Sequence, residues 1–336
     1  MKENPAMNST ATDTRELART RQDVIGVNPS RARARVRALL HHEALTPARL
    51  VAPILVQPDA RPTTDYAHIP TAVALSRLGE YVRDLRMLGV QACKLFVYVE
   101  NKTDSAKEAL RPSNLMVAAI QTVREAVEDM VISTEVCGCA WTSTGECAIL
   151  TPDDRADHER TCALMAAMAV LHADAGADII GPAAMIDGSV TAIRTLLDQN
   201  GYLDVGLTPS VIFHSHLFGP YKNAMDTDPG RGDRRGFQID PEHQGQALHQ
   251  AARWLAEGAD ALLVQPALTS VDVLVKLRGR TAVPITAFSV SREQQLFADA
   301  SDAELCEYVR MLVRAGADLV ITYDATRIAA ALAGAR

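Results

Sequence analysis

The chain has 336 residues, 48% of them hydrophobic and 22% charged, with a formal net charge of −7. This is the composition of an ordinary globular protein, long enough to bury a large core without a disulfide framework. The acidic balance, with no basic stripe, argues against nucleic acid as a partner. No apolar run approaches the roughly 18 residues that a membrane span requires.

Residues 1–28 show neither a periodic apolar pattern nor the apolar core of a secretory signal, and residues 30–41 are rich in arginine. Residues 1–40 therefore read as an extended, partly flexible N-terminal arm, and 41–336 as one folded domain. The expected location is cytoplasmic, where thiols stay reduced.

From about residue 50, short β runs alternate with helical periodicity. Strands are predicted at 50–56, 92–99, 130–136, 178–181, 205–213, 261–264, 283–288 and 319–322. Helices are predicted at 77–88, 112–128, 157–175, 192–200, 242–257 and 302–315. This alternation predicts an α/β fold, a closed (β/α)₈ TIM barrel. Three copies of one junction support it: Ala175-Gly-Ala-Asp178, Glu257-Gly-Ala-Asp260 and Ala315-Gly-Ala-Asp318. Each reads as a helix end, a glycine in the left-handed cap position and the start of a strand, and so as scaffold at the strand N-termini.

The site is expected at the opposite face, after each strand. Cysteines 137, 139 and 147 follow the third strand as C-x-C-x7-C. In a reducing compartment such a cluster points to metal. Three thiolates suit Zn²⁺ and leave a fourth position open, the arrangement of a catalytic rather than a structural zinc. Cys93, Cys162 and Cys306 sit in apolar contexts and read as packing residues. His214 and His216 fall on the same strand face as Ser210 and Ile212. His216 is a candidate base or metal ligand, and His214 reads as an ordinary polar histidine. Asp187, at a strand end, is a candidate for catalysis or for capping a helix.

These motifs resemble porphobilinogen synthase (5-aminolevulinate dehydratase). The segment Cys137-Gly-Cys-Ala-Trp-Thr-Ser-Thr-Gly-Glu-Cys147 is similar to that family's zinc loop. So, in order, are Ala184-Met-Ile-Asp-Gly188 with Ala192-Ile-Arg194, Phe218-Gly-Pro220, Gly232-Asp-Arg234 with Phe237-Gln238, and Val264-Gln-Pro-Ala267. The similarity runs from about residue 30 to 330. It implies a barrel enzyme that joins two 5-aminolevulinate molecules through two lysine Schiff bases. At those lysine positions this chain has Ile212, within Ser210-Val-Ile-Phe213, and Gln265. Neither side chain can form an imine, which needs a primary amine. Ala183-Ala184, Glu135, Glu146 and Lys222 also depart from the family pattern.

The resemblance implies that Ser291 and Tyr323 hold a substrate carboxylate. Arg234, with Arg231, Arg235 and Lys222, would serve a second anionic group; Ser210, Phe213 and Gln238 belong to the same binding set. Gln265 is the candidate to hydrogen-bond a substrate carbonyl or amine where an imine lysine stands in the family. Lys222 is read as the only lysine near a site strand. A second metal near Glu146 and His216 is a further implication, as is a homo-oligomer, dimer to octamer, gripped by the arm. The expected function is a zinc-dependent synthase or lyase acting on a small amino- or keto-acid carboxylate without lysine Schiff bases, in a specialised biosynthetic pathway. A non-catalytic ligand-binding paralogue and retained porphobilinogen synthase activity are the alternatives.

Overall fold

The computed structural model describes residues 45–65, 68–227 and 234–334. The predicted arm at 1–40 and Arg231 lie outside them. Among the described residues the strands are β1 (Leu50–Gln57), β2 (Ala72–Ala74), β3 (Ala92–Val97), β4 (Val131–Val136), β5 (Ile179–Pro182), β6 (Gly206–Leu207), β7 (Ser210–Ile212), β8 (Leu262–Gln265), β9 (Ile285–Ser289) and β10 (Leu319–Thr322). All pairings are parallel, in the order β6-β5-β4-β3-β1-β10-β9-β8-β7, with β2 a short addition beside β1.

The two ends of that order are successive pieces of one run of chain. β6 pairs with β5 and β7 with β8, so residues 206–212 close the ring. With β6 and β7 as halves of one strand and β2 off the path, the ten strands reduce to the eight of a (β/α)₈ barrel. The sequence predicts one strand at 205–213; the structure divides it at Thr208-Pro209. Proline has no N–H for the ladder, but its carbonyl still accepts from Leu263 N–H at 3.0 Å.

The helices between strands are α1 (Leu75–Met87), α2 (Leu115–Ala126), α3 (His158–Asp174), α4 (Ser189–Gln199), α5 (Gly219–Met225), α6 (Gln244–Ala256), α7 (Val271–Arg278), α8 (Ser291–Leu296), α9 (Asp302–Arg314) and α10 (Ala325–Gly334). Side-chain capping sets several starts. Asn114 accepts from Val117 N–H at 3.0 Å, which begins α2 after the proline and not at residue 112. Ser301 and Glu304 form a capping box on α9, whose buried Leu305, Tyr308, Val309 and Leu312 make one apolar stripe against the barrel.

The three repeated junctions do what their sequence predicts and one thing more. Gly176, Gly258 and Gly316 have φ of +108°, +103° and +120°. The aspartate two residues on ties the next strand over. Asp178 accepts from Ile132 N–H at 2.7 Å, Asp260 from Leu207 N–H at 2.8 Å and Asp318 from Ile285 N–H at 2.7 Å. Each aspartate returns its own N–H to the carbonyl of the same partner residue. These reciprocal clasps satisfy strand-end groups that the ladder leaves open.

Candidate functional site

The strand C-termini surround a cavity of about 70 Å³, room for on the order of five water molecules. That admits a small acid. Its walls come from β3, β4, β7, β8 and β9 and from the segments that follow β4, β5, β7, β9 and β10.

One wall is the cysteine loop. The sulfurs of Cys137, Cys139 and Cys147 lie within 4.8 Å of one another and all three residues are buried. They form the one group of three or more metal-ligand side chains among the described residues. Local backbone geometry brings them together. Gly138 N–H donates to Cys147 O at 3.2 Å, and the Gly138 carbonyl accepts from Trp141 and Thr142 N–H, each at 2.8 Å. A Cβ at Gly138 would stand 2.5 Å from the Cys147 oxygen, so the loop closes only with glycine there. Hydrogen bonds from Cys137 and Cys139 pull the Cys147 thiol well below its usual range. Three convergent soft donors fit a zinc ion, and none of the six cysteines of the chain is in a disulfide.

Arg234 braces this loop. It is buried, with φ +59°, and its Nη2 donates to the carbonyls of Gly145, at 2.6 Å, and Thr227. That nitrogen is therefore engaged by backbone, although Arg234 also borders the cavity.

The opposite wall holds most of the predicted binding residues. Ser210, Ile212, Gln238, Gln265, Ser291 and Tyr323 all border the cavity, and Lys222 reaches it from α5. Ser291 accepts from Tyr221 N–H at 3.0 Å, and Tyr323 stacks on Phe288 at 6.1 Å between ring centroids. Burial raises the Tyr323 phenol, keeping it a neutral donor.

Three expectations are corrected. Phe213 does not border the cavity. Strand alternation turns it away from the face of Ile212, and its backbone bridges to Ile239. Asp187 is exposed and ion-paired with Arg253 of α6 at 2.9 Å; Gly188, not Asp187, stands at the N-cap of α4. His216 is exposed in a 3₁₀ turn, His216–Phe218, outside the cavity, whereas Glu146, next to Cys147 in the cysteine loop, is buried. The chain turns outward after Phe213, so the alternation expected to carry His216 inward stops short. Of the other cationic residues expected to serve the second anionic group, Arg235 is exposed.

The structure also adds residues that sequence reading missed. Lys94, on β3, borders the cavity and is only 3% exposed. This corrects the expectation that Lys222 is the only lysine near a site strand. Lys94 sits in an apolar strand, and its alternation with Phe96 toward the barrel axis was the available signal. Burial pushes its ammonium below the usual lysine range, with the Glu135 carboxylate opposing. Glu135 and Tyr221 also border the cavity, and Tyr221 OH donates to Glu135 at 3.4 Å.

The comparisons agree with this geometry. Residues 27–331 match the family model described as delta-aminolevulinic acid dehydratase. The Delta-aminolevulinic acid dehydratase of Synechocystis sp. is 32% identical over 303 residues, covering 86% of this chain and 93% of that protein. The Bacillus subtilis protein of the same name is 32% identical over 300 residues, covering 86% and 92%. The crystal structure of delta-aminolevulinic acid dehydratase (porphobilinogen synthase) from Toxoplasma gondii ME49, in complex with the reaction product porphobilinogen, superposes with a TM-score of 0.86 at 29% identity over 91% of each chain. A shared barrel, a matching order of motifs and these full-length similarities place the chain in the delta-aminolevulinic acid dehydratase family.

Proposed function

We propose that the protein is a zinc-dependent synthase or lyase that acts on a small amino- or keto-acid carboxylate, without imines at the family's two lysine positions, in a specialised biosynthetic pathway. One observation carries this reading: the three-cysteine cluster shares its cavity with Ile212 and Gln265, side chains that cannot form an imine. The metal would be held by Cys137, Cys139 and Cys147, and when bound it supplies a Lewis acid for a carbonyl oxygen. Ser291 and Tyr323 would receive the substrate carboxylate as hydroxyl donors. Gln265 would hydrogen-bond a carbonyl or amine, and Lys222 would contribute positive charge. Reduced thiols are needed for such a centre, which favours a cytoplasmic setting; assembly into a homo-oligomer belongs to the same proposal.

A second reading, porphobilinogen synthase activity itself, is favoured by the names of the relatives and by the buried amine of Lys94. Incubating the purified protein with 5-aminolevulinate and testing for a pyrrole decides between them. The first reading expects zinc bound to the wild type and no pyrrole. Pyrrole formation at an ordinary enzymatic rate establishes the second.

A further inference from the structure

The cavity contains one nucleophile that neither the cysteine centre nor the carboxylate-binding residues employ. Lys94 and Phe96 face the barrel interior from β3, with Cys93 and Leu95 on the opposite face. The Lys94 amine makes one hydrogen bond among the described residues, a long one of 3.4 Å to Thr134 O. An ammonium carries three donors, and leaving two without acceptors in a buried site disfavours the charged form. Were the lysine a structural counter-ion, it would be seated on a carboxylate. Among the described residues it forms no direct ion pair: the Glu135 carboxylate acts on it through space and is itself hydrogen-bonded by Tyr221. The barrel also makes room for the amine: a Cβ at Gly181 on β5 would lie 2.6 Å from Lys94 Nζ.

We propose that Lys94 is the covalent catalyst of this site, its free amine condensing with the ketone of a small keto-acid bound in the cavity. The nitrogen lone pair attacks the carbonyl carbon, a C–N bond forms and the carbonyl oxygen takes up a proton. The C–O bond then breaks, and the oxygen leaves as water with the two amine hydrogens, giving an imine. No oxidant or reductant takes part. This assignment rests on the keto-acid reading of the cavity. It relocates the amine from the positions of Ile212 and Gln265 to a strand on the other side of the barrel.

The test is reductive trapping on the full chain. Levulinic acid, a four-keto acid, is added with sodium borohydride, and the protein is mapped by peptide mass spectrometry. The expected result is a single adduct on Lys94 that adds the mass of the acid less one oxygen. Lys94→Met and Lys94→Arg should give none while retaining wild-type zinc content, with levulinate still bound by calorimetry but more weakly, since the imine no longer adds to the affinity. Trapping at Lys222, or no trapping by wild-type protein that binds the acid, overturns the Lys94 assignment and leaves the keto-acid reading standing. Wild-type protein that holds zinc but binds no keto-acid removes both.

Discussion

Lys94 and Gly181 compete for one volume inside the barrel: the amine of the first lies 2.6 Å from where a side chain on the second would begin. The same hypothetical Cβ would sit 3.0 Å from Thr134 O, the acceptor of the Lys94 hydrogen bond. Gly181→Ala therefore moves the amine without removing it. Borohydride trapping of levulinate should slow on the order of a hundredfold, the scale of effect for a misplaced reacting group. Zinc content should stay at the wild-type level. An unchanged trapping rate would show that the amine's position against β5 is immaterial.

Zinc binding should depend on the closeness of the cysteine loop as much as on its sulfurs. Cys139→Ala removes a donor, and elemental analysis should find the metal lost or greatly weakened. Gly138→Ala keeps every donor but drives a methyl group into the Cys147 carbonyl at 2.5 Å. Backbone cannot yield as a side-chain tip does, so this variant should also lose zinc and should unfold about 1–3 kcal/mol more easily, the usual scale of overpacking. Equal metal in wild type and Cys139→Ala would remove the zinc assignment.

The strand clasps make a stability prediction far from the cavity. Asp260→Ala frees Leu207 N–H, and Asp318→Ala frees Ile285 N–H. Each should lower urea stability by about 1 kcal/mol or somewhat more, because a strand-end donor loses its partner. The two sites share no residue, so the double variant should show the sum.

Acid sensitivity should centre on His172. It is fully buried on α3, Nδ1 meets Thr134 Oγ1 at 3.0 Å, and burial pulls its pKa down to about 3. In the unfolded chain an ordinary histidine takes up a proton near pH 6.5. Between those values the unfolded state binds a proton that the folded state refuses, so stability falls as pH drops. At pH 5 this costs about 2 kcal/mol relative to pH 7. His172→Gln should narrow the gap between urea midpoints at the two pH values; an equal gap would place the acid sensitivity elsewhere.

Asp187 and His216 should be dispensable. Asp187 is exposed with its carboxylate on Arg253, and His216 is exposed in a turn. Asp187→Asn and His216→Ala should leave zinc content, levulinate binding and trapping at wild-type values. A loss in any of these would return that residue to the site.

Local pattern in the sequence determined the barrel, because each strand and helix announces itself through its own periodicity and the cap glycines need only their own φ. The C-x-C-x7-C spacing likewise carried the metal reading, since one loop supplies all three sulfurs. Direction was less legible. Ile212 and Phe213 are neighbours, yet only the ring closed by β6 and β7 settles which of them faces the cavity. His216 was assigned to a strand face that ends before reaching it. Lys94 is harder to read, because its alternation with Phe96 groups the two on one face of β3 without saying which face turns inward. Only the closed barrel sets it beside Gly181 and across from Gln265, since which side chains meet depends on pairing between strands far apart in the chain.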